Sequence, residues 1–238
     1  MKKSIIKNRL KWVTATGIIF LMFGCESTYY KAMETIGYHK RDIMVDRVQD
    51  ARDAQEEAKE QFESALEKFS SVVGFRGGDL EEKYNQLKGE YEESVTKADA
   101  VRNRIAAVED VAEDLFAEWQ QELTQYTNSK LKQSSALKLR ETKSKYAQLI
   151  AAMKRAEKKM DPVLSAFQDQ VLYLKHNLNA QAIASLQSEL ASIETDVARL
   201  IKEMEASIKE ADAFIGSMEK ILPSYAVEYL FIISDIIF

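Results

Sequence analysis

The sequence predicts an all-α protein, an elongated antiparallel helical bundle or coiled coil of about four long helical segments. Three observations lead there. Through most of residues 41–218, apolar residues recur in alternating steps of three and four, the spacing of a helix seam that other helices must cover. The stripes are broader than a bare two-stranded coil requires, as in helices that sit inside a bundle. The pattern also breaks at short stretches rich in glycine, proline or asparagine, which divide it into segments near 40–73, 79–127, 130–176 and 180–218.

In the first segment the seam is Met44, Val48, Ala51, Gln55, Ala58, Phe62, Ala65, Phe69 and Val72, interrupted once by Gln55. Charged residues fill the positions between. Pairs such as Arg52 with Glu56 and Lys59 with Glu63 stand four apart and are placed to meet on the surface, each contributing a few tenths of a kcal/mol. Gly74-Phe75-Arg76-Gly77-Gly78 ends the segment, since its glycines accept positive φ. The run lacks the spacing and the following Lys-Ser/Thr of a phosphate loop, so it reads as a hairpin turn. Asp79 then suits an N-cap, with Glu82 at the capping-box position.

The second seam runs Leu80, Tyr84, Leu87, Tyr91, Ser94, Ala98, Val101, Ile105, Val108, Ala112, Leu115 and Trp119. Thr127 to Ser135 is polar and reads as a turn or a loosened helical stretch. The third seam takes Tyr146, Leu149, Met153, Ala156 and Met160, then meets Asp161-Pro162, which predicts either a restart capped by Asp161 or a kink. Leu164, Phe167, Val171, Leu174 and Leu178 resume it. Around residues 177–179 the sequence allows a turn with Asn179 as cap, or a stutter in a continuous helix. The last seam is Ile183, Leu186, Leu190, Ile193, Val197, Leu200, Met204, Ser207, Ala211 and Phe214. The polar seam residues Gln55, Ser94 and Ser207 suit a role in setting register or partner number.

The two ends differ from this middle. Residues 1–24 carry a basic run (Lys2, Lys3, Lys7, Arg9, Lys11) and then an apolar stretch from Trp12 to Phe23, the layout of a secretory signal. Its apolar part is about 12 residues against the roughly 20 that span a bilayer. Gly24 and the chain's single cysteine, Cys25, follow at once. Leu21-Met22-Phe23-Gly24-Cys25 thus resembles a bacterial lipoprotein signal, although Met22 stands where leucine is usual and Phe23 is bulky for its place. The resemblance implies that Cys25 is lipidated and becomes the first mature residue. An ordinary signal peptide or a short buried helix would leave the unpaired cysteine unexplained. Residues 25–40 then form a lipidated tether, with Tyr29, Tyr30, Met33, Ile36 and Tyr38 placed for the bilayer interface or for local packing. Residues 219–238 are an apolar C-terminal tail, too short and too charged for a membrane span.

Without the leader's five basic residues the chain keeps 28 against 38 acidic ones, a net charge of about −10. Such a chain does not suit nucleic acid or an anionic lipid surface, both of which demand positive charge, so its membrane attachment is expected through covalent lipid and not through charge. Glu26, where aspartate would resemble an inner-membrane retention signal, favours the periplasmic side of the outer membrane. Only His39 and His176 occur, far apart, and no Cys pair, His-x-x-x-His or Gly-x-Ser-x-Gly is present. The expectation is therefore no enzyme, no cofactor, no metal site and no small-molecule substrate. The expected role is a lipid-anchored scaffold, spacer or adaptor of the envelope, with a membrane-binding or membrane-remodelling helical protein as the alternative; the predicted partners are the membrane, through covalent lipid, and another protein, or a weak oligomer.

Two blocks carry a further resemblance. Tyr38-His39-Lys40-Arg41-Asp42-Ile43-Met44-Val45-Asp46-Arg47-Val48, running on through Phe69, and Val171-Leu172-Tyr173-Leu174-Lys175-His176-Asn177-Leu178-Asn179-Ala180-Gln181-Ala182 resemble an uncharacterised family of proteobacterial helical envelope proteins. The likeness spans roughly residues 26–218. It implies an all-helical lipoprotein and brings no catalytic residues with it.

Overall fold

Helix formation follows from the local sequence, and its limits are set by caps. A computed structural model describes residues 39–74, 79–177 and 180–219. Within them lie α1 (Lys40–Val73), α2 (Leu80–Glu122), α3 (Ser129–His176) and α4 (Ala180–Glu219). The chain divides into two units, Met1–Ile43 and Met44–Phe238, and the described residues of the first are His39 and the first turn of α1. There the His39 carbonyl accepts the Asp42 and Ile43 amides at 2.8 and 3.2 Å. Asp42 in the first turn complements the helix dipole. At the far end Gly74 donates its N–H to the Ser70 carbonyl. The remainder of the expected glycine turn, residues 75–78, lies outside the described residues.

Asp79 caps α2 as expected, its carboxylate accepting the amides of Glu81 and Glu82 at 2.9 and 3.2 Å. The Glu82 carboxylate takes the Gln86 amide instead of turning back to the cap. α2 stops at Glu122, short of the expected 127, because the chain tightens: Thr124 and Gln125 donate their amides to carbonyls three residues back. Asn128 then caps α3 through bonds from the amides of Lys130 and Leu131. Residues 129–135 are therefore helix, and the polar stretch is a turn only as far as Asn128.

Pro162 sits inside an unbroken α3, and there is no restart at Asp161. Proline removes the bond to the carbonyl four residues back, that of Lys158. Pro162, Asp161 and Lys158 are all exposed, so water can serve the freed carbonyl. The seam runs through this point without a break: Met153, Ala156, Met160, Val163 and Phe167 are buried in alternating steps, and Leu164, expected in the seam, is only half-buried. α3 ends at His176, where Asn177 donates to the Leu174 carbonyl, and α4 begins at Ala180. Two separate helices therefore stand in place of one continuous helix with a stutter; residues 178 and 179, among them the expected cap Asn179, lie outside the described residues.

Within the second unit, cross-helix pairs fix antiparallel register. Asp50 with Arg104 (3.1 Å), Glu57 with Lys97 (2.9 Å) and Gln61 with Glu90 (2.9 Å) run oppositely along α1 and α2. Arg102 with Asp161 (2.6 Å) and Lys154 with Glu109 (2.9 Å) do the same for α2 and α3. Arg155 with Glu203 (3.3 Å) relates α3 to α4. Arg52 with Asp212 (3.1 Å) brings α4 back to α1. The α1 pairs foreseen from spacing are replaced: Arg52 bonds Asp53 and Asp212, and Lys59 bonds Glu56. A carboxylate on a neighbouring helix, or one turned back along the same helix, is simply nearer. These exposed pairs contribute little stability each.

The seams point inward and supply that stability. Every seam residue read in α1, from Met44 to Val72, is buried. So are Leu87, Ser94, Ala98, Val101, Ile105, Val108, Ala112 and Leu115 of α2, with Val111 and Phe116 beside them. On α4 the stripe runs on one step past Phe214 to Met218. Phe69 and Phe167, both fully buried, stack at 6.5 Å between ring centroids.

Truncating Phe62 or Phe69 to alanine removes a large side chain that no solvent reaches. Each is expected to lower the unfolding free energy by about 3–5 kcal/mol. Urea denaturation followed by circular dichroism measures this, and an unchanged midpoint for both variants would contradict the packing.

Candidate functional site

Cys25, the one site residue the sequence offers, lies outside the described residues, as does the tail from Lys220 onward. His39 and His176 are both exposed, one at the lead into α1 and the other at the end of α3. Among the described residues no three histidine, cysteine or acidic side chains are grouped to hold a metal ion. No helix there is long and apolar enough to cross a membrane. Two local arrangements remain as candidates: a polar cluster between α2 and α3, and the tip of the α2–α3 hairpin.

The cluster is built on Lys154. Its ammonium lies 2.9 Å from Glu109 across the helix pair and 3.1 Å from Glu157 one turn along α3. Partial burial pulls its pKa down, but the two carboxylates outweigh this and leave it raised. Two turns earlier on α3, Tyr146 packs edge-on against Phe116 at 5.4 Å between centroids. The Lys143 ammonium sits 5.5 Å from the same Phe116 ring, a cation–π contact. Desolvation first, and then the Glu109 charge, push the Tyr146 hydroxyl up to about 12. Both shifts hold the ordinary neutral-pH charge state more firmly: a protonated lysine and a neutral phenol. The arrangement is one of structural support, since neither group is poised to exchange a proton near neutrality.

The hairpin tip has a different character. Trp119 donates its indole N–H to Ser135 at 2.8 Å, joining the helix ends. Leu115, Phe116, Leu123 and Leu139 are buried there as a small local core. Around it stand Tyr126, Leu131 and Leu137, exposed by 40%, 58% and 48%. Lys130, Lys132, Lys138, Arg140, Lys143 and Lys145 are exposed along the same end of α3. A shallow polar recess lined by Glu122, Gln125 and Tyr126 is too open to enclose a small molecule. Sequence reading passed over this end; its signal was a basic run with two leucines in an otherwise acidic chain.

The raised Tyr146 pKa has a testable consequence. The unfolded phenol titrates near 10, so its contribution is full below about pH 10 and lost as pH rises through about 12. Tyr146→Phe should remove this alkaline component, about 1 kcal/mol after allowing for the half-exposed ring. Urea midpoints measured for both proteins from neutral pH to pH 11 would show it. An identical slope with pH in the two would refute it.

A family model described as "Protein of unknown function (DUF2959)" matches residues 29–218. No curated protein matches the chain.

Proposed function

The chain belongs to the DUF2959 family of proteins of unknown function, and on that footing we propose that it is a lipid-anchored helical protein of the cell envelope. In this reading it acts by contact, as scaffold, spacer or adaptor, and carries out no reaction. The carrying observation is the leader: five basic residues and no acidic one, an apolar stretch, then Gly24 and the sole cysteine. Covalent lipid on Cys25 tethers the mature chain, with more than one acyl chain needed for stable attachment. Glu26 favours the outer membrane's periplasmic face over the inner membrane.

The internal closure of the seams supports action by contact. Gln55, Ser94 and Ser207, the polar seam residues, are all fully buried within the single chain's bundle. The stripes thus need no second copy to cover them. A mature charge of about −10 also opposes close association of like surfaces. A different protein, or a weak oligomer, fits better as partner than a tight homodimer.

Wild-type cells fed a labelled fatty acid should incorporate it into the protein, and Cys25→Ser should abolish incorporation and release the chain from the membrane fraction or block its maturation. Equal labelling of the variant would sink the anchor. In-cell crosslinking followed by mass spectrometry should capture a discrete partner. Recovery of an uncrosslinked monomer alone, with several reagents and growth states, would remove the adaptor reading.

A further inference from the structure

Helix direction places three features at one end of the second unit. α1 and α3 run in the same sense, and α2 and α4 run opposite to them, as paired contacts along each interface show, those of α3 with α4 being Arg155–Glu203 and Tyr173–Ser185. The chain therefore enters α1, turns between α2 and α3, and leaves α4 at the same end. From the Asp50–Arg104 pair, α2 continues about twelve residues beyond the level of Met44, or roughly 15–20 Å. From Arg155–Glu203, α3 begins about ten residues before the level of Glu219. Among the described residues the hairpin tip thus projects past both neighbours.

The composition of this tip departs from the rest of the protein. Five large hydrophobics are exposed among the described residues, and three of them, Tyr126, Leu131 and Leu137, fall within this short stretch. Between Ser129 and Tyr146 the chain carries six basic residues and one acidic residue, Glu141. The acidic residues nearby, Glu113, Asp114, Glu118 and Glu122, belong to α2. Isolated exposed leucines need no explanation, but leucines interleaved with lysines at a projecting end do.

We infer that the α2–α3 tip is a lipid-contact surface that docks on an anionic bilayer. Leu131 and Leu137 enter the headgroup boundary, and Tyr126 sits at interface depth, where its ring and hydroxyl are both accommodated. Lys130, Lys132 and Lys138 lay their stems along the same boundary and keep their ammonium groups among lipid phosphates. Charge favours this occupant: the exposed basic run at the start of α3 suits anionic headgroups, and with Glu113, Asp114, Glu118, Glu122 and Glu141 counted the tip still keeps one net positive charge in a chain that is net negative. The inference adds a second membrane contact to the anchor proposed above and does not require lipid on Cys25.

The test uses the full chain with Cys25→Ser, which removes the native thiol, and a single new thiol from Leu131→Cys or Leu172→Cys carrying an environment-sensitive fluorophore. Leu172 is exposed by 52%, close to the 58% of Leu131. It lies 41 positions along the same helix, roughly 60 Å away. Vesicles containing phosphatidylglycerol should blue-shift the probe at 131 and leave that at 172 unchanged, and phosphatidylcholine vesicles should have little effect. K130E/K132E/K138E should weaken the response at least about tenfold, with helicity unchanged because all three positions are exposed. The milder K130Q/K132Q/K138Q serves the same purpose if reversal impairs folding. Equal responses at both positions, equal responses to both lipids, an unaffected charge variant, or a probe at 131 already shielded without vesicles would each overturn the inference. Because Cys25 is absent throughout, failure here would leave the anchor standing, to be judged by acyl labelling.

Discussion

Closure of four apolar stripes on one another is the constraint from which the rest of this structure follows. Each helix of the bundle is 34 to 48 residues long, far beyond what its own backbone would stabilise in water. A seam of that length buries only if a partner of similar length lies alongside. Short connections then make sequential helices antiparallel neighbours. Alternation of small and large residues along α1, Ala58, Phe62, Ala65 and Phe69, lets the facing helices approach and interdigitate. Surface ion pairs follow from that approach and tune its register; they do not cause it.

The same constraint gives meaning to the polar residues inside. Ser94 and Thr142 satisfy their hydroxyls locally, donating to the Glu90 and Lys138 carbonyls at 2.7 and 2.9 Å. Gln55 and Ser207 are fully buried, and their side chains find no hydrogen-bond partner among the described residues. Such groups lower stability relative to apolar replacements, and in coiled coils they are kept where they exclude wrong registers. All four lie within one chain's bundle. Any selection they exert therefore acts on how this chain packs with itself, not on how many copies assemble.

What could be read in advance depended on whether one helix or two decided it. Burial along α1 followed from periodicity alone, residue by residue, and the start of α2 from Asp79. The place of Val163 in the seam was missed because Asp161-Pro162 suggested a restart or a kink there, whereas the helix stays intact and carries the alternating steps Ala156, Met160, Val163 and Phe167 straight through. The Asn128 cap was legible in principle, but polar residues on either side obscured which of them began the helix. Partners such as Asp212 for Arg52, Ser135 for Trp119 and Tyr146 for Phe116 depend on relative register between helices. No period within a single segment carries that information. Cys25 lies outside the described residues, so the packing of the bundle has no bearing on it.

These features together direct attention to the ends of the bundle and away from its sides. Along the sides, acids and bases alternate and pair, within helices and between them, giving a mixed and solvated surface with little to distinguish one partner from another. Among the described residues the bundle's core is closed, and the recess at the hairpin tip is too open to enclose a small molecule. Specificity must then come from places where the helical repeat is interrupted: a tether, a turn or a projecting hairpin. At the α2–α3 end the chain spends lysines and exposed leucines that neither its core nor its fold requires.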